Sequence, residues 1–147
     1  MKPKLAAAYM STAEIFAELS HARRLHVGAI VVKDDRIISI GYNGMPAGWG
    51  NNCEYEVETE AGDDVEIVLK TRPEVLHAES NAISKLAKSS ESGLGATIFI
   101  THAPCLDCAK LIYQSGINSV FYRHSYRSDD GIKFLKQSRV TVEQLDH

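Results

Sequence analysis

Ala96-Thr97-Ile98-Phe99-Ile100-Thr101-His102-Ala103-Pro104-Cys105-Leu106-Asp107-Cys108-Ala109-Lys110-Leu111-Ile112-Tyr113-Gln114-Ser115-Gly116 passes from strand to helix within one turn. Ala96 to Thr101 is an apolar, β-branched run of strand length. Pro104 then opens a helix that runs through Ala109, Leu111 and Ile112, and Gly116 closes it. Beyond it, Ser119 to Tyr122 reads as a strand, Gly131 to Lys136 as a short helix and Arg139 to Val142 as a last strand. Before it, a helix from His77 to Lys88 follows Pro73, with Ala78, Ala82, Ile83 and Leu86 on its apolar side. Further back, His26 to Lys33 and Ile37 to Tyr42 form a hairpin around Asp34-Asp35-Arg36. Leu5 to Arg23 is an amphipathic helix that gathers Ala8, Ile15, Phe16 and Leu19 on one face. Residues 43–52 are rich in glycine, proline and asparagine and make a loop, while 53–72 are acidic and without a clear pattern. A hairpin followed by alternating helices and strands predicts an α/β sandwich around one mixed sheet.

The chain has 147 residues, enough for one domain spanning 1–147 with a real core and too few for two. Net charge is −3 and no block of lysine or arginine is present, which argues against a polynucleotide partner. The apolar runs are strand-sized, so no membrane span is expected, and the N-terminal helix carries Glu14 and Glu18 where a signal peptide needs apolar residues. The expectation is a cytoplasmic protein acting on a small molecule. A phosphorylated substrate of that size needs only two or three donors.

Three cysteines, Cys53, Cys105 and Cys108, cannot all pair, and the Cys-x-x-Cys spacing points to metal or redox chemistry. A catalytic zinc takes three protein ligands and keeps a fourth position open. His77 with Cys105 and Cys108 supplies such a set, with both sulfurs on one side of a first helical turn whose positive end favours thiolate. Glu79, two residues after His77, leaves the helix in another direction and is free to act as general base and then general acid. Two other readings stand beside this one. Cys105 and Cys108 could be a redox pair, or they and His77 a structural zinc knuckle closed by Cys53 or His102.

His77-Ala78-Glu79 with Pro104-Cys105-x-x-Cys108 resembles the signature of the zinc cytidine and deoxycytidylate deaminases. Gly41-Tyr42-Asn43-Gly44-Met45-Pro46-Ala47-Gly48 is similar to a loop of the deoxycytidylate branch in particular. His77 to Ile83 and Cys108 to Ile117 share the likeness, which runs from about Leu5 to Tyr126. The resemblance implies a five-stranded mixed sheet in an α/β/α sandwich and one catalytic zinc (Zn2+) per chain. It also implies hydrolysis of dCMP to dUMP and ammonia, and a homo-oligomer, commonly a hexamer. It further implies activation by dCTP with magnesium (Mg2+) and inhibition by dTTP through Gly41, Tyr42, Asn43 and Gly44, with Asn43 also near the substrate sugar. Some phage members carry a second, structural zinc; Cys53 has no obvious partner for one and reads as a buried thiol.

For the monophosphate, Arg23 and Arg24 before the first strand are candidate donors, as are Tyr126 and Arg127 after the strand that follows the zinc helix. Thr101 and Ala103 can offer backbone groups to the base. Trp49 can cover a base or pack against a second subunit. His21, His26, His102, His124 and His147 lack partner spacing and read as surface or core positions. The rival functions are deamination of a free cytidine nucleoside or an RNA base, and a noncatalytic zinc-binding interaction module.

Overall fold

The computed structural model describes residues 1–146; His147 lies outside them. In chain order the elements are α1 (Pro3–Ala17), β1 (Gly28–Lys33), β2 (Arg36–Tyr42), β3 (Glu54–Ala61), β4 (Asp64–Thr71), α2 (Ala78–Ala87), β5 (Thr97–His102), α3 (Leu106–Gln114), β6 (Ser119–His124), α4 (Asp130–Gln137) and β7 (Thr141–Gln144). Five strands form one mixed sheet in the order β2-β1-β5-β6-β7. β1 runs antiparallel to both neighbours, whereas β5, β6 and β7 are parallel. Parallel neighbours need a crossover, and α3 and α4 provide the two required here.

The pleat sorts the core. Ala29, Val31, Ile98 and Ile100 face α2, α3 and α4, while Ile30, Val32 and Phe99 face α1. Alternate residues of one strand thus serve two layers, which is the expected α/β/α sandwich. Phe99, fully buried, stacks on Phe121 with ring centroids 4.9 Å apart.

Several boundaries differ from the sequence reading, each for a local reason. α1 stops at Ala17 rather than Arg23 because the following residues bond elsewhere: Ser20 Oγ donates to Asn43 O, and the Arg23 and Arg24 amides donate to Glu54. Asp34 and Asp35, at φ 50° and 61°, make a two-residue turn of the primed kind, so Arg36 already pairs with Lys33. The last strand begins at Thr141, because Arg139 at φ 64° and Val140, donating to Leu135 O, belong to the cap of α4.

The segment that showed no clear pattern is a paired hairpin. β3 and β4 match over eight residues each around Gly62-Asp63, with Gly62 at φ 68°. Its signal is present: Glu54, Glu56, Glu58 and Glu60 alternate with Tyr55, Val57, Thr59 and Ala61. The hairpin forms its own two-stranded sheet and leaves Val65 and Ile67 exposed, so no buried face reinforces the period.

Candidate active site

The carboxyl end of β5 and the first turns of α2 and α3 meet at one place. His77 is the N-cap of α2 and Cys105 the N-cap of α3, both with extended backbone (ψ 153° and 168°). Cap residues usually turn a side-chain oxygen back onto their own helix. Neither side chain does so here, and both face each other across the gap. His77 Nδ1 lies 3.3 Å from Cys108 Sγ and 3.7 Å from Cys105 Sγ. Tetrahedral zinc with bonds of about 2.3 Å to sulfur and about 2.05 Å to nitrogen requires N···S separations of about 3.6 Å. The observed pair brackets that value, and the three ligand atoms lie within 4.8 Å of one another. The donor set and its spacing therefore fit zinc, and three ligands leave one vertex of the tetrahedron to a non-protein group.

The charges agree with a cation cradle. Hydrogen bonds from Cys108 and His77 push the Cys105 thiol down to about 4. Cys108 moves the opposite way, because it gives its hydrogen bond to Cys105 and is buried. The hydrogen bond to Cys105 raises His77. A divalent ion held by this set would supply the field that deprotonates both sulfurs. Glu79, in the first turn of α2, is only 4 % exposed. Burial lifts its carboxyl to about 7, against the downward pull of its own backbone amide and of His77.

These groups border a cavity of about 510 Å³. His77, Glu79, Cys105, Asn43, Ala103, Arg24, Tyr126 and Arg127 all line it. Asn43 is held at both ends of its amide: its Oδ1 accepts from Val27 N at 2.9 Å and its Nδ2 donates one of its two hydrogens to Leu25 O at 2.9 Å. The Ala103 amide donates to His124 O at 2.8 Å, so it has no proton left for a base. Arg127 donates to Tyr126 Oη at 3.1 Å and lies over its ring.

Other candidates sit apart from this wall. Arg23 turns to Asn52 and Glu54. Thr101 is buried, with its hydroxyl accepting from Gly28 N and bonded to His102 Nδ1. Gly41 lies beneath α2, Tyr42 O accepts from Asn81 Nδ2, and Gly44 exchanges two main-chain hydrogen bonds with Leu76. Cys53, by contrast, does line the cavity: it is buried with Ala22 and Val75, and its thiol donates to Asn51 O. The sequence reading overlooked Glu54 and Thr71, which line the cavity from the foot of the β3–β4 hairpin. His102, which the sequence offered only as a fourth ligand of a structural zinc knuckle or as a surface or core position, lines the cavity and lies 5.0 Å from the His124 ring.

Residues 3–124 match the cytidine and deoxycytidylate deaminase zinc-binding region. The chain belongs to this family. Among its relatives, ComE operon protein 2 of Bacillus subtilis is 37% identical over 139 residues, covering 94% of this chain and 69% of that protein. The deoxycytidylate deaminase of Saccharomyces cerevisiae is 34% identical over 146 residues, 99% of this chain and 46% of that protein. The dCMP deaminase of cyanophage S-TIM5, solved in complex with dCMP and dUMP, superposes with a TM-score of 0.87 at 48% identity, covering 99% of each chain. Within the described residues of this deaminase-family chain, no helix is long and apolar enough to cross a membrane.

Proposed function

We propose that this chain hydrolyses dCMP to dUMP and ammonia, with zinc held by His77, Cys105 and Cys108. The observation that carries the reading is the position of Glu79, a buried carboxylate sharing one cavity wall with His77 and Cys105. The cyanophage relative, solved with dCMP and dUMP, supports the nucleotide. Arg24 and Arg127, lining the same cavity, supply positive charge for a monophosphate.

Bound zinc supplies the Lewis acidity that makes water a competent nucleophile near neutral pH. Glu79 takes a proton from the attacking water and delivers it to N3 of the cytosine as the C4–O bond forms. It then takes the hydroxyl proton of the tetrahedral carbon centre and delivers it to the exocyclic nitrogen, so that the C4–N bond breaks and ammonia leaves. One water is consumed for each ammonia released. The burial of Glu79 keeps bulk solvent from exchanging the proton in transit. Asn43, braced at both ends by Leu25 and Val27, shapes the wall for the sugar.

The same reading includes a homo-hexamer regulated at Gly41-Tyr42-Asn43-Gly44, activated by dCTP with magnesium and inhibited by dTTP. Its support is placement: Gly44 is tied to Leu76, the neighbour of His77. Loss of ultraviolet absorbance on mixing zinc-loaded protein with dCMP tests the reaction, and parallel assays with cytidine and deoxycytidine test the phosphate. Faster turnover of deoxycytidine than of dCMP refutes the monophosphate. Hyperbolic kinetics indifferent to dCTP and to millimolar dTTP refute the regulation.

A further inference from the structure

Glu54 is an anomaly in a cavity meant for an anion. It is 1 % exposed, it belongs to the cavity wall, and a carboxylate there repels a phosphate. A buried carboxylate is tolerated only where donors surround it. Glu54 Oε2 accepts the consecutive amides of Arg23 and Arg24, both at 2.8 Å. Its Oε1 has no hydrogen-bond partner and lies 3.7 Å from Arg23 Nε. Two adjacent amides closing on one anion fix the local backbone.

The two arginines are thereby given different tasks. Arg23 is drawn outward, donating to Asn52 Oδ1 at 3.2 Å and to Glu54 O at 3.5 Å. Arg24 faces the cavity, and its Nη1 donates to Thr71 Oγ1 at 2.9 Å. Thr71 is the register partner of Glu54 across the hairpin. One end of the hairpin therefore holds both parts of the arginine pair, Glu54 the main chain and Thr71 the guanidinium. The charge of Glu54 is balanced by Arg23, which leaves that of Arg24 for the ligand. A guanidinium with one N–H on Thr71 keeps further N–H groups for phosphate oxygens.

We propose that Glu54 is a positioning residue for the nucleotide phosphate, acting through Arg24, with Thr71 as its second support. This rests on the monophosphate reading above. The test is calorimetric binding of dUMP and of deoxyuridine to the zinc-loaded protein, which isolates the phosphate without requiring turnover. The wild type is expected to prefer dUMP. Glu54→Ala is expected to weaken dUMP by about tenfold, the size of one lost charge-assisted hydrogen bond, and to leave deoxyuridine within about twofold. In the dCMP assay it raises KM and spares kcat. Glu54→Gln keeps an oxygen for the two amides and recovers part of the loss. In an Arg24→Ala background, Glu54→Ala has no further effect, since the residue it acts through is gone.

Equal losses for both ligands, or additive losses in the double variant, overturn the inference. Should Glu54→Ala not fold, Thr71→Val at its exposed site gives the answer: weakened dUMP with unchanged deoxyuridine supports the proposal, and unchanged dUMP overturns it. A wild type without preference for dUMP overturns the monophosphate reading itself. A preference that Glu54→Ala leaves undiminished overturns only the role of Glu54.

Discussion

Replacing Gly41 with alanine tests how closely the chemistry depends on the seating of α2. A β-carbon at Gly41 stands 2.2 Å from Ala78 O and 2.7 Å from Ala82 N, both backbone atoms of that helix. Contacts under 3.0 Å are essentially never made, so α2 and β2 must separate by about 0.8 Å to relieve the first contact alone. Three hydrogen bonds resist the separation: Ser39 Oγ to Ala82 O, Asn81 Nδ2 to Tyr42 O and Lys85 Nζ to Ile40 O. Overpacking of this kind costs about 1–3 kcal/mol, and each stretched bond adds up to about 1 kcal/mol. The total of about 1–6 kcal/mol, at about 2–4 °C per kcal/mol, lowers Tm by roughly 2–24 °C. The first turn of α2 also carries His77 and Glu79, and a misplacement near 1 Å costs on the order of 10²-fold in rate. Circular-dichroism melting, metal analysis and kcat with dCMP measure the three consequences. Gly41→Ala with wild-type Tm and kcat refutes the argument. A variant that keeps both but loses its response to nucleotide effectors assigns Gly41 to regulation instead.

The other predictions concern the metal and the core. Glu79→Gln should keep its zinc by metal analysis and lose about 10²–10⁴ in kcat; unchanged turnover removes the proton shuttle. A chelator should abolish turnover and added zinc should restore it in the wild type, whereas His77→Ala should respond to neither treatment. Gly131→Ala brings a β-carbon to 2.1 Å from Pro104 O and 2.9 Å from Cys105 O. The displaced ligand should weaken zinc about 10–100-fold in a competition titration, as expected when a ligand's support is disturbed. Phe99→Ala, on the α1 face of the sheet and so on the side opposite α2 and α3, should cost about 3–5 kcal/mol in urea unfolding and leave zinc stoichiometry unchanged.

What could be read in the sequence follows from which residues have local consequences. The strand–turn–helix from Ala96 to Gly116 announces itself because its period, its proline and its glycine act within a few residues, and the structure departs from that reading by only a residue or two. The grouping of His77 with Cys105 and Cys108 was legible because thiolate and imidazole chemistry allows few alternatives, even though no local rule states that both helices begin at one point. That convergence has a mechanical cause. His77 and Cys105 are caps whose side chains are released from capping, so each helix aims its first residue at the other. Gly41 beneath α2 and Gly131 against Pro104 let the supporting elements approach closely enough to hold that aim. Neither glycine shows its purpose in the sequence, because a close approach is a property of two distant segments. Glu54 was illegible for a related reason. Among alternating glutamates it is indistinguishable from Glu56 or Glu58, and only the fold brings the Arg23 and Arg24 amides to it. Residue types thus reveal which chemistry is available, whereas the orientation of each group depends on contacts between segments distant in sequence. The end of the cavity built from the bend at Arg23-Arg24 and the foot of a separate hairpin is therefore where reading from sequence alone reaches least far.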